Sequence, residues 1–119
     1  MRQELAGDWI RYHAEHRKSS DPLFVACSEL DDLIHSAPEE AWTVTLELVA
    51  AAPDDRVLAN VAAGPLEDLL TKSDRFIDRA EIQAQRDPKF RRCLTGVWGL
   101  AATARERLAK YVSTIKDPL

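Results

Sequence analysis

The sequence predicts an all-α protein, a compact bundle of stacked helical hairpins with about seven or eight helices. Two observations carry this prediction. Apolar residues recur every three or four positions along most of the 119 residues, which is the spacing of one helix face. The β-branched run Thr43-Val44-Thr45 lies inside such a helical pattern, so we expect no strand.

Each predicted helix is recognised by its apolar stripe, the set of apolar residues that shares one face. In chain order the stripes are Leu5, Trp9, Tyr12 and His16; Leu23, Cys27, Leu30 and Ile34; Trp42, Leu46 and Val49; Val57, Leu58, Val61 and Ala62; Leu66, Leu69 and Leu70; Phe76, Ile77, Ala80 and Ala84; Phe90, Cys93, Leu94, Val97 and Trp98; and Ala101, Ala104, Leu108, Tyr111 and Ile115.

Capping residues and prolines indicate where these helices begin. Asp and Ser side chains accept a hydrogen bond from the free N–H groups of a helix start, and proline is favoured at the first helical position. The predicted caps are Asp21 before Pro22, Ser36 shortly before Pro38, Asp54 or Asp55, Ser73 or Asp74, and Asp87 before Pro88.

Two glycines are predicted to interrupt the helical pattern. We expect Gly64 to end the fourth helix in the left-handed conformation and Pro65 to begin the fifth. Gly99 is expected to break or kink the chain between the seventh and the last helix.

A faint internal repeat relates residues 38–62 to residues 73–98. Each segment combines a longer helix, a proline and a short helix, at an offset of about 35 residues, which is within the range of helix-pair repeats. Such hairpins bury their apolar faces by stacking on a neighbour. We therefore expect an α-solenoid, HEAT-like character within a single helical domain over residues 1–119.

The charges are distributed unevenly along the chain. The net charge is −4. Residues 21–70 hold eleven acidic side chains and only Arg56 as a basic one, a balance of −10. Residues 71–119 hold eleven basic and six acidic side chains, a balance of +5. The acidic segment suits a basic protein partner, and the basic segment leaves nucleic-acid contact through residues 71–119 as a weaker alternative.

The composition predicts a cytoplasmic protein without a membrane span. No apolar stretch approaches the length of a transmembrane helix, and no secretory signal is recognised. Cys27 and Cys93 lie on apolar stripes, so we expect inert core thiols. His13 and His16 are a weak candidate metal pair, because their spacing differs from that of zinc proteases. We expect no metal and no cofactor.

Acidic and amide side chains supply the candidate binding residues. Glu29, Asp31 and Asp32 form a first acidic cluster, which a solvated helix face also explains. Glu67 and Asp68 follow the Gly64-Pro65 pair, and with Asn60 they are candidates for a polar rim at one end of the bundle. A purely structural role for this stretch is the preferred interpretation.

Arg91 and Arg92 are the main candidate cations. Arginine pairs well with carboxylates and phosphates. We expect internal pairing with Glu67, Asp68, Asp31 or Asp32, while an external anion is the alternative. No nucleotide-binding loop and no set of nucleophile, base and orienting residue is found, so no catalytic residue is assigned.

Several motifs resemble those of a family of small bacterial proteins of unknown function. They are Gly64-Pro65-Leu66-Glu67-Asp68-Leu69 with the preceding Leu58 to Ala63, Phe76-Ile77-Asp78-Arg79, Asp87-Pro88-Lys89-Phe90-Arg91-Arg92-Cys93-Leu94 with the following Thr95 to Trp98, Trp9 with Tyr12-His13, and Glu29-Leu30-Asp31-Asp32-Leu33 ahead of Ala41-Trp42. The resemblance spans residues 5–98 and implies an all-helical bacterial protein. It implies no activity.

Two hypotheses about function remain. The first is a non-catalytic protein-interaction module, in one version a bacterial immunity or antitoxin-type inhibitor. The second is a small-ligand or enzymatic site built from Asn60, Glu67 and Asp68 with Arg91 or Arg92. The second requires these side chains to converge on one concave pocket.

Overall fold

The computed structural model of the chain describes residues 3–119, and within that range it contains eight α-helices and no strand. The all-α prediction is confirmed. The helices are α1 (Leu5–Ala14), α2 (Phe24–Ser36), α3 (Pro38–Ala51), α4 (Asp55–Val61), α5 (Glu67–Lys72), α6 (Asp74–Arg86), α7 (Pro88–Leu94) and α8 (Ala102–Val112). A π turn, Ala62–Leu66, joins α4 directly to α5.

Helix α3 lies at the centre of the core. It packs against α1, α2, α4 and α7, and its buried residues cover more than one face. Trp42 stacks on Phe76 of α6, with ring centroids 5.7 Å apart, and meets Phe90 of α7 edge-on at 6.0 Å. Full burial of an aliphatic or aromatic side chain contributes about 1.5–3 kcal/mol. The apolar stripes of α3, α6 and α7 therefore join the two halves of the chain.

Three predicted caps are confirmed by hydrogen bonds. The Asp54 carboxylate accepts from the Val57 N–H at 2.9 Å, and the Asp87 carboxylate accepts from the Phe90 N–H at 3.1 Å. The Ser73 hydroxyl accepts from the Arg75 N–H at 3.3 Å. Each bond satisfies a donor that would otherwise be free at the start of α4, α7 or α6.

Two predicted helix starts are displaced. Ser36 is the last residue of α2, and its hydroxyl donates to the Asp32 carbonyl at 2.8 Å, so Ala37 precedes α3 instead. Asp21 accepts from the Leu23 N–H at 2.9 Å, but this bond closes a turn, and the regular helix begins only at Phe24.

The prediction that Gly64 adopts the left-handed conformation is wrong, whereas the predicted interruption of the helix at Gly64 is present. Gly64 has φ −105° and ψ −105°, which is neither left-handed nor helical, so the chain kinks at Gly64 between α4 and α5. Pro65 is buried inside this turn. Proline lacks an N–H, and in a regular helix its ring clashes with the carbonyl four residues before it. The regular helix is interrupted at Gly64, directly before Pro65, and the Gly-Pro pair therefore separates α4 from α5.

Several predicted stripes extend beyond their helices, and three of them do so in a loop past the C-terminal end. Helix α7 ends at Leu94, and Trp98 lies in the following loop with 80% of its surface exposed. His16 is exposed beyond the end of α1, at φ 53°. Ile115 lies beyond the end of α8. In each case, the chain turns away before the helical spacing is completed.

The segments 38–62 and 73–98 both contain a long helix followed by a seven-residue helix. Their origin as a repeat and the solenoid-like character stay predictions. Among the helices of residues 3–119, none is long and apolar enough to span a bilayer.

Candidate binding site

Asp31 on α2 borders two adjoining cavities. The first, which we call the aromatic cavity, has a volume of about 430 Å³ and lies between α1, α2, α4 and the π turn. Its lining residues are Trp9, Tyr12, His13, Phe24, Cys27, Leu30, Asp31, Asn60, Ala63, Gly64 and Pro65.

The second cavity at Asp31, which we call the acidic groove, has a volume of about 410 Å³ and lies between α2 and α5. Its lining residues are Asp31, Ile34, His35, Asp68, Thr71 and Lys72.

A chain of ring contacts forms one wall of the aromatic cavity. The rings of Trp9 and His13 are 4.1 Å apart, and Tyr12 meets His13 edge-on at 5.1 Å. Tyr12 also lies 5.5 Å from Phe24, which is 38% exposed. Aromatic faces carry negative charge and attract cations positioned above them.

His13 and Cys27 meet inside this cavity, with His13 Nε2 3.7 Å from Cys27 Sγ. Burial, helped by the charge of Arg56, lowers the pKa of His13. Burial, helped by the charge of Asp31, raises the pKa of the Cys27 thiol. At neutral pH the pair is a protonated thiol beside a neutral imidazole. Because the thiolate is the reactive form, the arrangement provides no ready nucleophile.

Two carboxylates face the acidic groove. Burial raises the pKa of Asp68, the negative charges of Asp31 and Glu67 raise it further, and nearby His35 opposes them. Within residues 3–119, no Lys, Arg or His nitrogen lies within 4.0 Å of a carboxylate oxygen of Asp31 or Asp68. The groove thus holds two carboxylates without a direct ion pair, and Lys72 and His35 in the same lining offset only part of their charge.

The structure brings together only some of the predicted binding residues. Asn60 shares the aromatic cavity with Asp31, and Asp68 shares the acidic groove with it. Glu29 and Asp32 lie on the same helix as Asp31 but line neither cavity.

Glu67 has a different position from its neighbour Asp68. Its carboxylate accepts hydrogen bonds from the backbone N–H groups of Trp98 and Gly99, at 3.0 and 3.1 Å. Glu67 therefore fixes the loop between α7 and α8, and it lines neither the aromatic cavity nor the acidic groove.

The two candidate arginines are engaged elsewhere. Arg91 donates to the Ala84 carbonyl at 2.7 Å. The two terminal guanidinium nitrogens of Arg92 donate to the two carboxylate oxygens of Asp55. Its Nε donates to the Asp117 carbonyl at 2.9 Å. Pairing within the chain is thus observed for Arg92, but its partners differ from the four that we expected. Neither arginine lines the aromatic cavity or the acidic groove.

Other basic side chains of residues 71–119 are also paired internally. Arg75 and Arg79 both contact Glu39 on α3, and Arg107 contacts Asp78 and Glu81 on α6. These pairs reduce the positive surface that a nucleic acid would need.

No metal centre is evident in the described part of the chain, residues 3–119, which has no group of three or more His, Cys, Asp or Glu residues placed to hold an ion. His13 faces Cys27, whereas His16 lies beyond α1, so the two histidines do not share a helix face.

Sequence reasoning missed the aromatic cavity itself. Phe24 is not among the predicted binding residues, and the contact between His13 and Cys27 has no counterpart in either helix alone. The cavity exists because α1 and α2 pack side by side, and sequence spacing within a helix does not reveal which residues of two helices meet.

Comparison with known proteins gave one match. No curated protein and no solved structure matched the chain. A family model described as a family of unknown function, DUF6869, matches residues 13–117. This range includes the acidic groove and, apart from Trp9 and Tyr12, the lining of the aromatic cavity. The chain therefore belongs to the DUF6869 family.

Proposed function

We propose that this chain is a non-catalytic module that binds a basic partner protein and receives a Lys or Arg side chain at Asp31. One observation carries the proposal: Asp31 borders both the aromatic cavity and the acidic groove, which supply the two features that recognise an organic cation. The ring wall of Tyr12 and Phe24 offers cation–π contact, and Asp31 and Asp68 offer carboxylates.

The electrostatics of Asp68 support this assignment. Its pKa is raised by burial and by neighbouring negative charge, so ionisation of Asp68 is less favourable than that of an isolated aspartate. A cation held between Asp31 and Asp68 would relieve that repulsion. Binding should therefore lower the pKa of Asp68 and release a proton wherever the carboxyl is partly protonated.

The wider acidic surface suits encounter with such a partner. Arginines of residues 71–119 offset part of the −10 balance of residues 21–70 by pairing with Glu39 and Asp55. The remaining negative charge attracts a basic protein and speeds association at low ionic strength. An immunity or antitoxin-type inhibitor of a basic toxin, acting in a bacterial cytoplasm, is one concrete form of the proposal. A toxin gene next to the gene for this chain would support that form.

The test compares binding of an arginine- and lysine-rich peptide to four proteins by titration calorimetry. These are the wild type, Asp31→Asn, Asp68→Asn and the control Asp32→Asn, which removes the same charge from an exposed position of α2 outside both cavities. We expect losses of at least about tenfold in affinity for the first two variants and under about threefold for the control.

The pH provides a second arm of the same test. As the pH falls through the raised pKa of Asp68, the wild type should lose affinity, and Asp68→Asn should lose less. If all three variants weaken binding equally, attraction is diffuse and the Asp31 site is wrong. If the wild type does not bind the peptide even at low salt, the basic-partner proposal is wrong.

A further inference from the structure

A third cavity, separate from the Asp31 site, lies between the end of α7, the loop 95–101 and α8. Its volume is about 560 Å³, within the range of small-molecule sites, about 300–1,000 Å³. Most of its lining is apolar: Leu94, Val97, Trp98, Leu100, Leu108 and Val112. None of the predicted binding residues lines it.

The indole of Trp98 forms an apolar wall of this cavity and is exposed to solvent. Its side chain is 80% exposed, although tryptophan is among the residues that gain most from burial. The loop is fixed, because the Glu67 carboxylate holds the N–H groups of Trp98 and Gly99. The indole is therefore presented on an ordered backbone, which reduces the entropy lost when a ligand covers it.

Arg105 gives the same cavity a cation. One guanidinium N–H donates to the Leu100 carbonyl at 3.0 Å, which keeps the side chain at the lining. Arg105 forms no ion pair with any carboxylate of residues 3–119. An arginine has five N–H donors, so several remain for an anion.

We propose that this cavity binds a small carboxylic acid with an apolar body. The body lies against Leu94, Leu108 and the indole of Trp98, and the carboxylate pairs with Arg105. Charge complementarity favours this occupant over a neutral one, and the volume of about 560 Å³ matches a small molecule.

The experiment uses decanoate as the probe, below its micelle concentration, with 1-decanol as the uncharged comparison. Binding is followed by calorimetry and by the NMR signal of the Trp98 indole N–H, assigned with Trp98→Phe. We expect saturable binding of decanoate and weaker binding of decanol. Arg105→Gln should weaken decanoate by about 10- to 100-fold and leave decanol unchanged.

Two variants complete the test. Lys110→Gln removes the same charge from α8 at a residue outside the cavity lining, so decanoate affinity should stay within about twofold. Trp98→Ala should weaken decanoate and decanol alike. Thermal melts show whether each variant remains folded.

Three results would overturn the proposal: no saturable binding of decanoate, equal loss with Arg105→Gln and Lys110→Gln, or a concentration-dependent dimer that covers Trp98. Asp31→Asn should leave decanoate binding intact, so failure here and failure of the basic-partner proposal are distinguishable.

Discussion

The Glu67 carboxylate accepts a hydrogen bond from the backbone N–H of Trp98 at 3.0 Å, across 31 positions of sequence. The same oxygen accepts from the Gly99 N–H at 3.1 Å. One acidic side chain on α5 thus fixes the turn that leads from α7 towards α8. The position of Glu67 in the first turn of α5 also favours its negative charge.

Replacing Glu67 should release this loop. We expect Glu67→Ala to destabilise the protein by about 1–2 kcal/mol, because two charge-assisted hydrogen bonds are lost at a half-buried position. Amide hydrogen exchange at Trp98 and Gly99 should accelerate more than exchange in α3. Glu47→Ala, an exposed change on α3, is the control. Unchanged exchange at Trp98 would contradict the anchoring role.

Gly96 is a point of close approach. A Cβ added there would lie 2.9 Å from the Ala62 Cβ in the π turn and 3.2 Å from the Leu119 Cδ1. Because Ala62 is buried and cannot move freely, Gly96→Ala should destabilise the protein by about 1–3 kcal/mol in urea unfolding.

The matched control is Gly7→Ala on α1, where an added Cβ would meet nothing within 4 Å. Alanine is the better helix former, so this change should stabilise by about 0.5–1 kcal/mol. Equal effects of the two substitutions would show that the contact at Gly96 is unimportant.

His13 should make stability depend on pH. Its pKa in the folded protein is lowered below the ordinary value of 6.5 by burial and by the charge of Arg56. As the pH falls below 6.5, the unfolded chain takes up the proton before the folded one does, so the free energy of unfolding decreases. The loss continues until the pH passes the lowered pKa.

We therefore expect His13→Gln to flatten the decline in stability between about pH 7 and about pH 5, by less than about 1 kcal/mol because the side chain is half-exposed. His16→Asn is the control, since His16 is exposed and its φ of 53° suits asparagine. If the control flattens the curve equally, the effect does not come from the His13 imidazole.

Local signals predicted most of the helices. Asp54, Ser73 and Asp87 act within three residues of their own positions, so their capping bonds depend little on the rest of the fold. The apolar stripes through Trp42 and Phe76 were also correctly assigned to the core.

The errors arise where tertiary packing overrides a local preference. Gly64 and Pro65 interrupt the helix between α4 and α5, but Gly64 has a φ of −105° rather than the left-handed conformation expected of a C-capping glycine. Trp98 has the spacing of a core residue, yet Thr95 to Gly99 leave the helical path, and Glu67 holds this loop from a distant part of the chain.

The candidate site was predictable only in its chemistry. The acidic residues were identified, but sequence spacing does not reveal that Asp31 and Asp68 line the same groove. Nor does it reveal that Glu67, the neighbour of Asp68, binds the loop between α7 and α8 instead. The partners of Arg92 were missed for the same reason. Asp55 and Asp117 become its neighbours only through the packing of α4 and the C-terminal residues against α7.

The π turn has a practical consequence for how the chain tolerates cutting and insertion. A Gly-Pro pair in the middle of a sequence is an obvious place to split a protein or insert a tag. Here Ala62, Pro65 and Leu66 are buried, and Pro65 also lines the aromatic cavity. Proteases and insertions act most readily on exposed loops with few contacts. The exposed Ser19-Ser20 pair between α1 and α2 is the better place to open the chain.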